Sequence, residues 1–453
     1  MTKKYLVAGA GKSGICATNQ LLRNHEQVIL FDENPKGTLT EEAVRKNLGE
    51  IINTENLSIH LGTLTDEVLQ DISCMVISPG IPVDAAFVRK VKEAGIPVWS
   101  EIELAYRYEK GSVAAITGTN GKTTTTTLVG EIMKAHNEKT FVVGNIGIPY
   151  TSLSDQSSAD SVTVAEISSF QLETIVTFRP HVSALLNLTP DHLNRHYTFE
   201  NYANCKLDIT KNQTEDDYAV FNYDDEETRK LADRVPAKLI FFSHKKELEE
   251  GVILKDGKVL ICEKGQETYV MSREEFRLLG DHNVENLLAA VAISYYMGVD
   301  VETIRKVCAD FKGVEHRIEY VRSVNDVDYY NDSKGTNPDA AIKAIQSMNR
   351  PTFLIGGGYD KKSTYDEWIE SFDGKVKQLL LIGQTAQDIA ECAGRHGFDQ
   401  IEFFDSLQDV VKYCHTHAEP GDAVLLSPAC ASWGMFDNYE QRGDMFKEYV
   451  NAL

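Results

Sequence analysis

Lys122 and Thr123 close the run ITGTNGKTTT at residues 116–125, and their types and order suit a bound phosphate chain. A lysine supplies a point charge, a following hydroxyl can ligate Mg²⁺, and glycines let backbone N–H groups face an anion. The expected cradle is Gly118, Thr119, Asn120, Gly121, Lys122, Thr123 and Thr124. Ile116 stands where the longer form of this pattern has its first glycine, so the loop is a shortened GxxGKT. It predicts binding of a nucleoside triphosphate.

Phosphoryl transfer also needs metal ligands. Glu166 closes the apolar run VTVA, where a carboxylate can reach Mg²⁺ beside the phosphates; a capping or solvated Glu is the alternative. His192 follows another apolar run, in NLTPDHLNRH, and a lone loop His can equally be structural. His192 and His196 have the spacing of a helical zinc pair, but HLNRH lacks the Glu of HExxH, which excludes a zinc protease. By residue type alone, Lys206 is a solvated lysine on a helix of mixed pattern.

Two other regions carry polar groups at strand ends. In KYLVAGAGKSG, Gly9, Gly11 and Gly14 stand between a strand and a helix, and QVILFDEN ends in Asp32. That is the dinucleotide fingerprint, weak alone because the same glycines also allow tight strand–helix packing. Near the C-terminus, YYNDSKGTNPDA (329–340) gathers Asn331, Asp332, Ser333, Lys334, Thr336 and Asn337. Turn and capping preferences explain that loop by themselves. GGGYDKK (356–362) and SPACASWGMFDNYEQRGD (427–444) repeat the arrangement, and three such loops predict a binding face.

Strands alternating with helices must position these residues, so the fold class is α/β with mainly parallel sheets. Three domains are expected: a Rossmann-like one at 1–108, a central P-loop one at 109–312, and a C-terminal Rossmann-like one at 313–453. Asp256-Gly257 and Asn325-Asp326 predict two hairpins. The 453-residue length suits about three cores. A formal charge of −22, from 68 acidic and 46 basic residues, argues against a nucleic-acid partner. No apolar run approaches the ~18 residues of a membrane span. The opening MTKKYLVAGAGKSG predicts no secretory signal, and eight Cys without a CxxC pair predict reduced thiols in a cytoplasmic protein. Nothing in the sequence demands more than a monomer.

Taken together, GTNGKTT (118–124), VGNIG, EISSFQLE, NLTPDHLNRH, YANCKLDI, DHNVENLLAA and HRIE (316–319) resemble the Mur ligase family. These are ATP-dependent enzymes that add amino acids to the peptidoglycan precursor, and the resemblance covers essentially the whole chain. NDSKGTNP, LSPACASWGMFDNYEQRG, VAGAGKSG and SPGIP look like its D-glutamate-adding branch. Two departures are small: Tyr439 stands where Phe also occurs, and Gly335 where Ala is frequent.

The resemblance implies that ATP phosphorylates the terminal carboxylate of UDP-N-acetylmuramoyl-L-alanine and that the D-glutamate amine attacks the acyl phosphate. It implies that Lys122 and its loop bind phosphates, that Thr123 and Glu166 hold one Mg²⁺, and that His192 and a carbamylated Lys206 help hold a second. Asn283, Arg317 and Asp332 would contact the nucleotide, while Asn145, Ser168 and Gln171 would line the substrate path. Thr336, Lys361, Ser432 and Tyr439 would grip the D-glutamate carboxylates. The first domain would then bind UDP, not NAD: Gly11, Ser13 and Gly14 at the pyrophosphate, Asp32 or Glu33 at the uridine, and Ser78, Pro79 and Gly80 as a wall. The competing readings are an NAD-dependent oxidoreductase, a binding-only nucleotide switch and a ligase for another amino acid.

Overall fold

A computed structural model describes residues 3–34, 36–49, 53–145, 147–360 and 362–453. Lys361, expected to touch the amino acid, lies outside the described residues. The chain divides into two compact units, Met1–Arg273 with Glu285–Cys308, and Glu274–Val284 with Ala309–Leu453.

The first unit contains two sheets. The N-terminal sheet is all parallel, with β1 (Lys4–Ala8), β2 (Gln27–Asp32), β3 (Leu57–Leu61), β4 (Cys74–Ile77) and β5 (Val98–Ser100) in the order β3-β2-β1-β4-β5. Short apolar runs such as YLVA and CMVI are buried along their whole length, as strands covered on both faces must be. The chain reverses direction across the sheet at β1, and the glycine-rich turn leads from there into helix Lys12–Arg23.

The central sheet has nine strands. They are β6 (Ser112–Thr117), β7 (Thr140–Gly144), β8 (Val162–Glu166), β9 (Val182–Leu185), β10 (Tyr218–Asn222), β11 (Lys238–Ser243), β12 (Gly251–Lys255), β13 (Lys258–Glu263) and β14 (Gln266–Ser272). Their order is β14-β13-β12-β11-β10-β9-β6-β8-β7, parallel from β12 to β7. The antiparallel edge turns at Asp256 and Gly257, which take φ of 48° and 72°, as a two-residue hairpin of this hand requires. The switch point lies at β6, so the phosphate loop leaves the sheet where open parallel sheets bind ligands.

The second unit carries β15 (Glu319–Val324), β16 (Val327–Asn331), β17 (Thr352–Gly356), β18 (Val376–Ile382), β19 (Ile401–Phe404) and β20 (Ala423–Leu426), ordered β15-β16-β20-β17-β18-β19. The other strand pairs of this sheet are parallel; the β15–β16 pair is antiparallel, and its turn residues Asn325 and Asp326 have φ of 53° and 61°. Among the described residues, no helix is long and apolar enough to cross a membrane. All eight cysteines are free thiols.

Candidate active site

The strands that carry GTNGKT, Glu166 and NLTPDH are neighbours, in the order β9-β6-β8, so their C-terminal ends open on one edge. After β6 the chain turns through Gly118 and Gly121 into helix Lys122–His136. Gly121, the N-cap, has φ of 84°, and a Cβ there would come within 2.3 Å of Asn286 Oδ1. Glycine is therefore required twice over, for backbone sign and for space. No side chain caps this helix, which leaves its first N–H groups for an anion. The loop is fixed from outside: Asn120 N–H donates to Asn187 Oδ1 at 2.8 Å, and Thr119 Oγ1 lies 3.0 Å from Tyr202 OH.

Two ammonium groups meet at this loop. Lys122 Nζ donates to the carbonyls of Gly118 and Thr119, both at 2.9 Å. Lys206 Nζ donates to the same Gly118 carbonyl at 2.8 Å and to Thr117 Oγ1 at 3.3 Å. Lys206 is 2% exposed, which overturns its reading as a solvated surface lysine. Residue type could not reveal this, because helix Phe199–Leu207 turns that side toward β6. Burial, then the charge of Lys122, pulls the Lys206 amine down to about 7. A neutral amine is thus present near neutral pH.

Glu166 is equally buried. Its Oε1 accepts from Asn145 Nδ2 at 3.0 Å, whereas Oε2 is buried without a hydrogen-bond partner. A buried carboxylate oxygen left open, beside a loop built for phosphate, is the donor a divalent cation needs. His192 begins the four-residue helix Leu193–His196 in a left-handed conformation, φ 52°, with a half-exposed side chain. Its ring lies 4.8 Å from that of Phe170. His196 instead turns inward, its Nε2 at 3.0 Å from Ser169 Oγ, so the two histidines do not form a zinc pair.

Ser168 and Gln171 form a capping box on the short helix after β8. Gln171 Nε2 also donates to Glu101, a fully buried carboxylate that accepts from the N–H and hydroxyl of Thr151. Burial raises the Glu101 carboxyl above its usual range despite these bonds. Neither Glu101 nor Asn286 was legible as a site residue in the sequence. Asn286 offered one signal, its spacing of one helical turn from Asn283, and Thr125 Oγ1 now donates to it at 3.2 Å.

In the N-terminal turn, Asp32 Oδ2 accepts from Ala10 N–H at 2.9 Å and Oδ1 from Asn34 N–H at 2.8 Å. The carboxylate shapes the turn that holds Gly11, Ser13 and Gly14. Glu33 follows it directly, and Ser78, Pro79 and Gly80 follow β4, which pairs with β1. A Cβ on Gly14 would stand 1.8 Å from Gly9 O, so this glycine is required by packing.

In the second unit the three polar loops also converge, since they follow the adjacent strands β16, β20 and β17. Asp332 accepts from Ser427 Oγ at 2.7 Å and from Ile318 N–H at 3.3 Å. Burial pushes its carboxyl up to about 7. Arg442, fully buried, donates to Ser333 Oγ at 3.0 Å, Ser333 O at 2.8 Å and Cys430 O at 3.3 Å, joining two of the loops. Ser333 Oγ donates in turn to Tyr439 O at 2.7 Å. Thr336 is half-buried, Ser432 buried, Arg317 exposed, and Asn283 Nδ2 donates to Leu279 O at 2.7 Å.

Three family descriptions match the chain in order: a MurD-like N-terminal domain of Mur ligases over residues 3–100, the Mur ligase middle domain over 116–294, and the Mur ligase glutamate ligase domain over 316–430. The UDP-N-acetylmuramoylalanine--D-glutamate ligase of Lachnoclostridium phytofermentans is 52% identical over 100% of this chain and 98% of its own. The enzyme of the same name from Clostridioides difficile is 45% identical, over 100% and 99%. Among solved structures, the MurC UDP-N-acetylmuramate-alanine ligase of Thermotoga maritima shares the fold, with TM-score 0.57 and 18% identity over the whole of both chains. The MurF ligase of Thermotoga maritima, solved with ADP, gives TM-score 0.52 and 19% identity over 85% of this chain and 91% of that one. With three domain matches in order and about half of all residues shared over full length, the chain belongs to the Mur ligase family.

Proposed function

We propose that the chain joins D-glutamate to UDP-N-acetylmuramoyl-L-alanine, with cleavage of ATP to ADP and phosphate, in peptidoglycan precursor synthesis. The observation that carries this reading is the cluster of Lys122, Lys206 and the open Glu166 oxygen at the end of β6, on a chain whose full-length relatives bear that enzyme's name.

The alanyl carboxylate attacks the γ-phosphorus, and the bond to ADP breaks. The D-glutamate nitrogen then attacks the acyl carbon, phosphate departs with its electron pair, and the nitrogen loses a proton. Charge governs the first step, because an anion must approach an anion. Lys122 and the uncapped N–H groups of its helix offset that repulsion. Thr123, Glu166, His192 and Lys206 would hold two Mg²⁺, which supply further positive charge at the phosphates. Lys206 suits this only if its charge reverses: the neutral amine adds CO₂, a proton leaves, and an anionic carbamate results. Its pKa of about 7 makes the neutral amine available for that reaction.

The same proposal assigns 1–108 to the UDP-sugar, 109–312 to ATP and 313–453 to the amino acid, with Asn283, Arg317 and Asp332 on the nucleotide. It takes the enzyme as a cytoplasmic monomer. Phosphate release with ATP, Mg²⁺ and UDP-N-acetylmuramoyl-L-alanine tests it, comparing D-glutamate, L-glutamate, L-lysine, diaminopimelate and no amino acid. Turnover only with D-glutamate is expected. Turnover with another amino acid would discard the substrate, and phosphate release independent of any amino acid would discard the ligase reaction.

A further inference from the structure

On the same edge of the sheet as the phosphate loop, the C-terminal ends of β10 and β11 bring Asp224 and His244 together with Glu285 of helix Asp281–Tyr296. We propose that Asp224, His244 and Glu285 form a binding site for one divalent transition-metal ion, with zinc the best fit.

Geometry carries the argument. His244 Nδ1 lies 3.1 Å from Asp224 Oδ2 and 3.5 Å from Glu285 Oε1. Ligands about 2.1 Å from a tetrahedral zinc stand about 3.4 Å apart, close to both separations, and the three ligand atoms all lie within 4.8 Å of one another. The His244 side chain is only 9% exposed, yet neither ring nitrogen makes a hydrogen bond. An imidazolium paired with a carboxylate would point its N–H along the line to one oxygen. Here Nδ1 satisfies neither carboxylate by direction, although both stand within ion-pair distance. A buried imidazole nitrogen without a hydrogen bond, within 3.5 Å of two carboxylate oxygens, is the arrangement of a metal ligand. The donor set agrees, because one imidazole and two carboxylates suit zinc or its neighbours better than Mg²⁺.

A supporting shell is already built. Asp224 Oδ1 accepts from Ser243 Oγ at 2.7 Å, and Oδ2 from the N–H groups of His244 at 2.8 Å and Lys245 at 3.3 Å. These bonds fix the carboxylate in one orientation. The helix that supplies Glu285 supplies Asn286 next, the residue packed on Gly121 and bonded to Thr125. The ion would therefore clamp two strand ends to the helix that backs the phosphate loop, a structural role separate from the catalytic metals.

The test uses the full chain, stripped with EDTA, loaded with zinc in excess Mg²⁺, desalted and read by elemental mass spectrometry. One zinc retained per chain is expected, retained also by Glu166→Gln and His192→Ala. His244→Gln and Glu285→Gln should bind at least about 100-fold more weakly, since outer-shell partners alone are worth about 10–100-fold. Glu285→Gln, the least buried position, keeps the test open if His244→Gln fails to fold. Cobalt in place of zinc should give a four-coordinate visible spectrum in wild type alone. Zinc retained equally by wild type and the triad variants would overturn the site. So would no retention by wild type.

Discussion

Residues 8–14 and 117–123 are both glycine-rich turns from a parallel strand into a helix, and both place a lysine and a hydroxyl at the helix start. Their surroundings have opposite charge. At the first turn a carboxylate, Asp32, takes the Ala10 N–H, while the exposed Lys12 reaches away to the carbonyl of Gly147. At the second, two lysine side-chain nitrogens share the Gly118 carbonyl, and the Glu166 carboxylate keeps one oxygen open. The first turn is closed by its own side chains. The second is electrostatically unfinished, which is the condition of a loop that waits for an anion and its metal. Glycine spacing specifies the turn; the charges that the next strands deliver specify the ligand.

The largest expected effect tests that contrast directly. Lys122→Ala should lower kcat by about 10²–10³, the loss typical when a charge-stabilising donor is removed. Lys12→Ala should change it by less than about tenfold, because its ammonium leaves the turn. Steady-state phosphate release measures both, and equal losses would erase the distinction between the two lysines.

Gly14→Ala comes next and bears on stability. Its Cβ would meet Gly9 O at 1.8 Å, so backbone must move, at about 3 kcal/mol or more. Denaturant unfolding reads this, and a midpoint within error of wild type would contradict the packing role.

A smaller, pH-dependent effect belongs to Lys206. Its folded pKa is about 7 and its ordinary value 10.5. Below pH 7 both states carry the proton, and this group gives no slope. Between those values the unfolded chain binds a proton that the folded chain does not, so stability rises with pH. Lys206→Met should lose that rise, seen as Tm values furthest apart at low pH, where the buried charge burdens the wild type, and converging toward pH 9. Parallel curves would mean that the amine is charged in the fold.

Much of this contrast could be read in the residues. The two hairpin turns were legible because Asp256-Gly257 and Asn325-Asp326 specify their own φ signs. The phosphate loop was legible because its glycines, lysine and threonines are consecutive. The three polar loops of the second unit could be grouped because each follows an apolar run. What escaped depends on distant contacts. The burial of Lys206, the open oxygen of Glu166 and the fixing of Asp32 on backbone amides arise from strand order, which neighbouring residues do not encode. β3 and β14 carry little sequence signal for a related reason: LSIHL and QETYVMS are half-exposed edge strands without a continuous apolar run.

Gly11→Ala gives the smallest effect and separates two roles that the first turn's glycines could have. A Cβ there meets nothing within 4 Å, and Gly11 has φ of −81°, which any residue adopts. Stability should shift by less than about 0.5 kcal/mol, as for a surface change that breaks no contact. If the glycine serves only the fold, binding of the UDP-sugar will be unchanged as well. If the pyrophosphate approaches the backbone here, the added methyl stands in its path, and KM for the UDP-sugar should rise about tenfold, or 1.4 kcal/mol, with kcat held. KM for ATP should not move, since the phosphate loop is untouched. A rise confined to the UDP-sugar would make the first turn a ligand site despite its closed hydrogen bonds; no rise in either would leave it a packing device and place that substrate elsewhere.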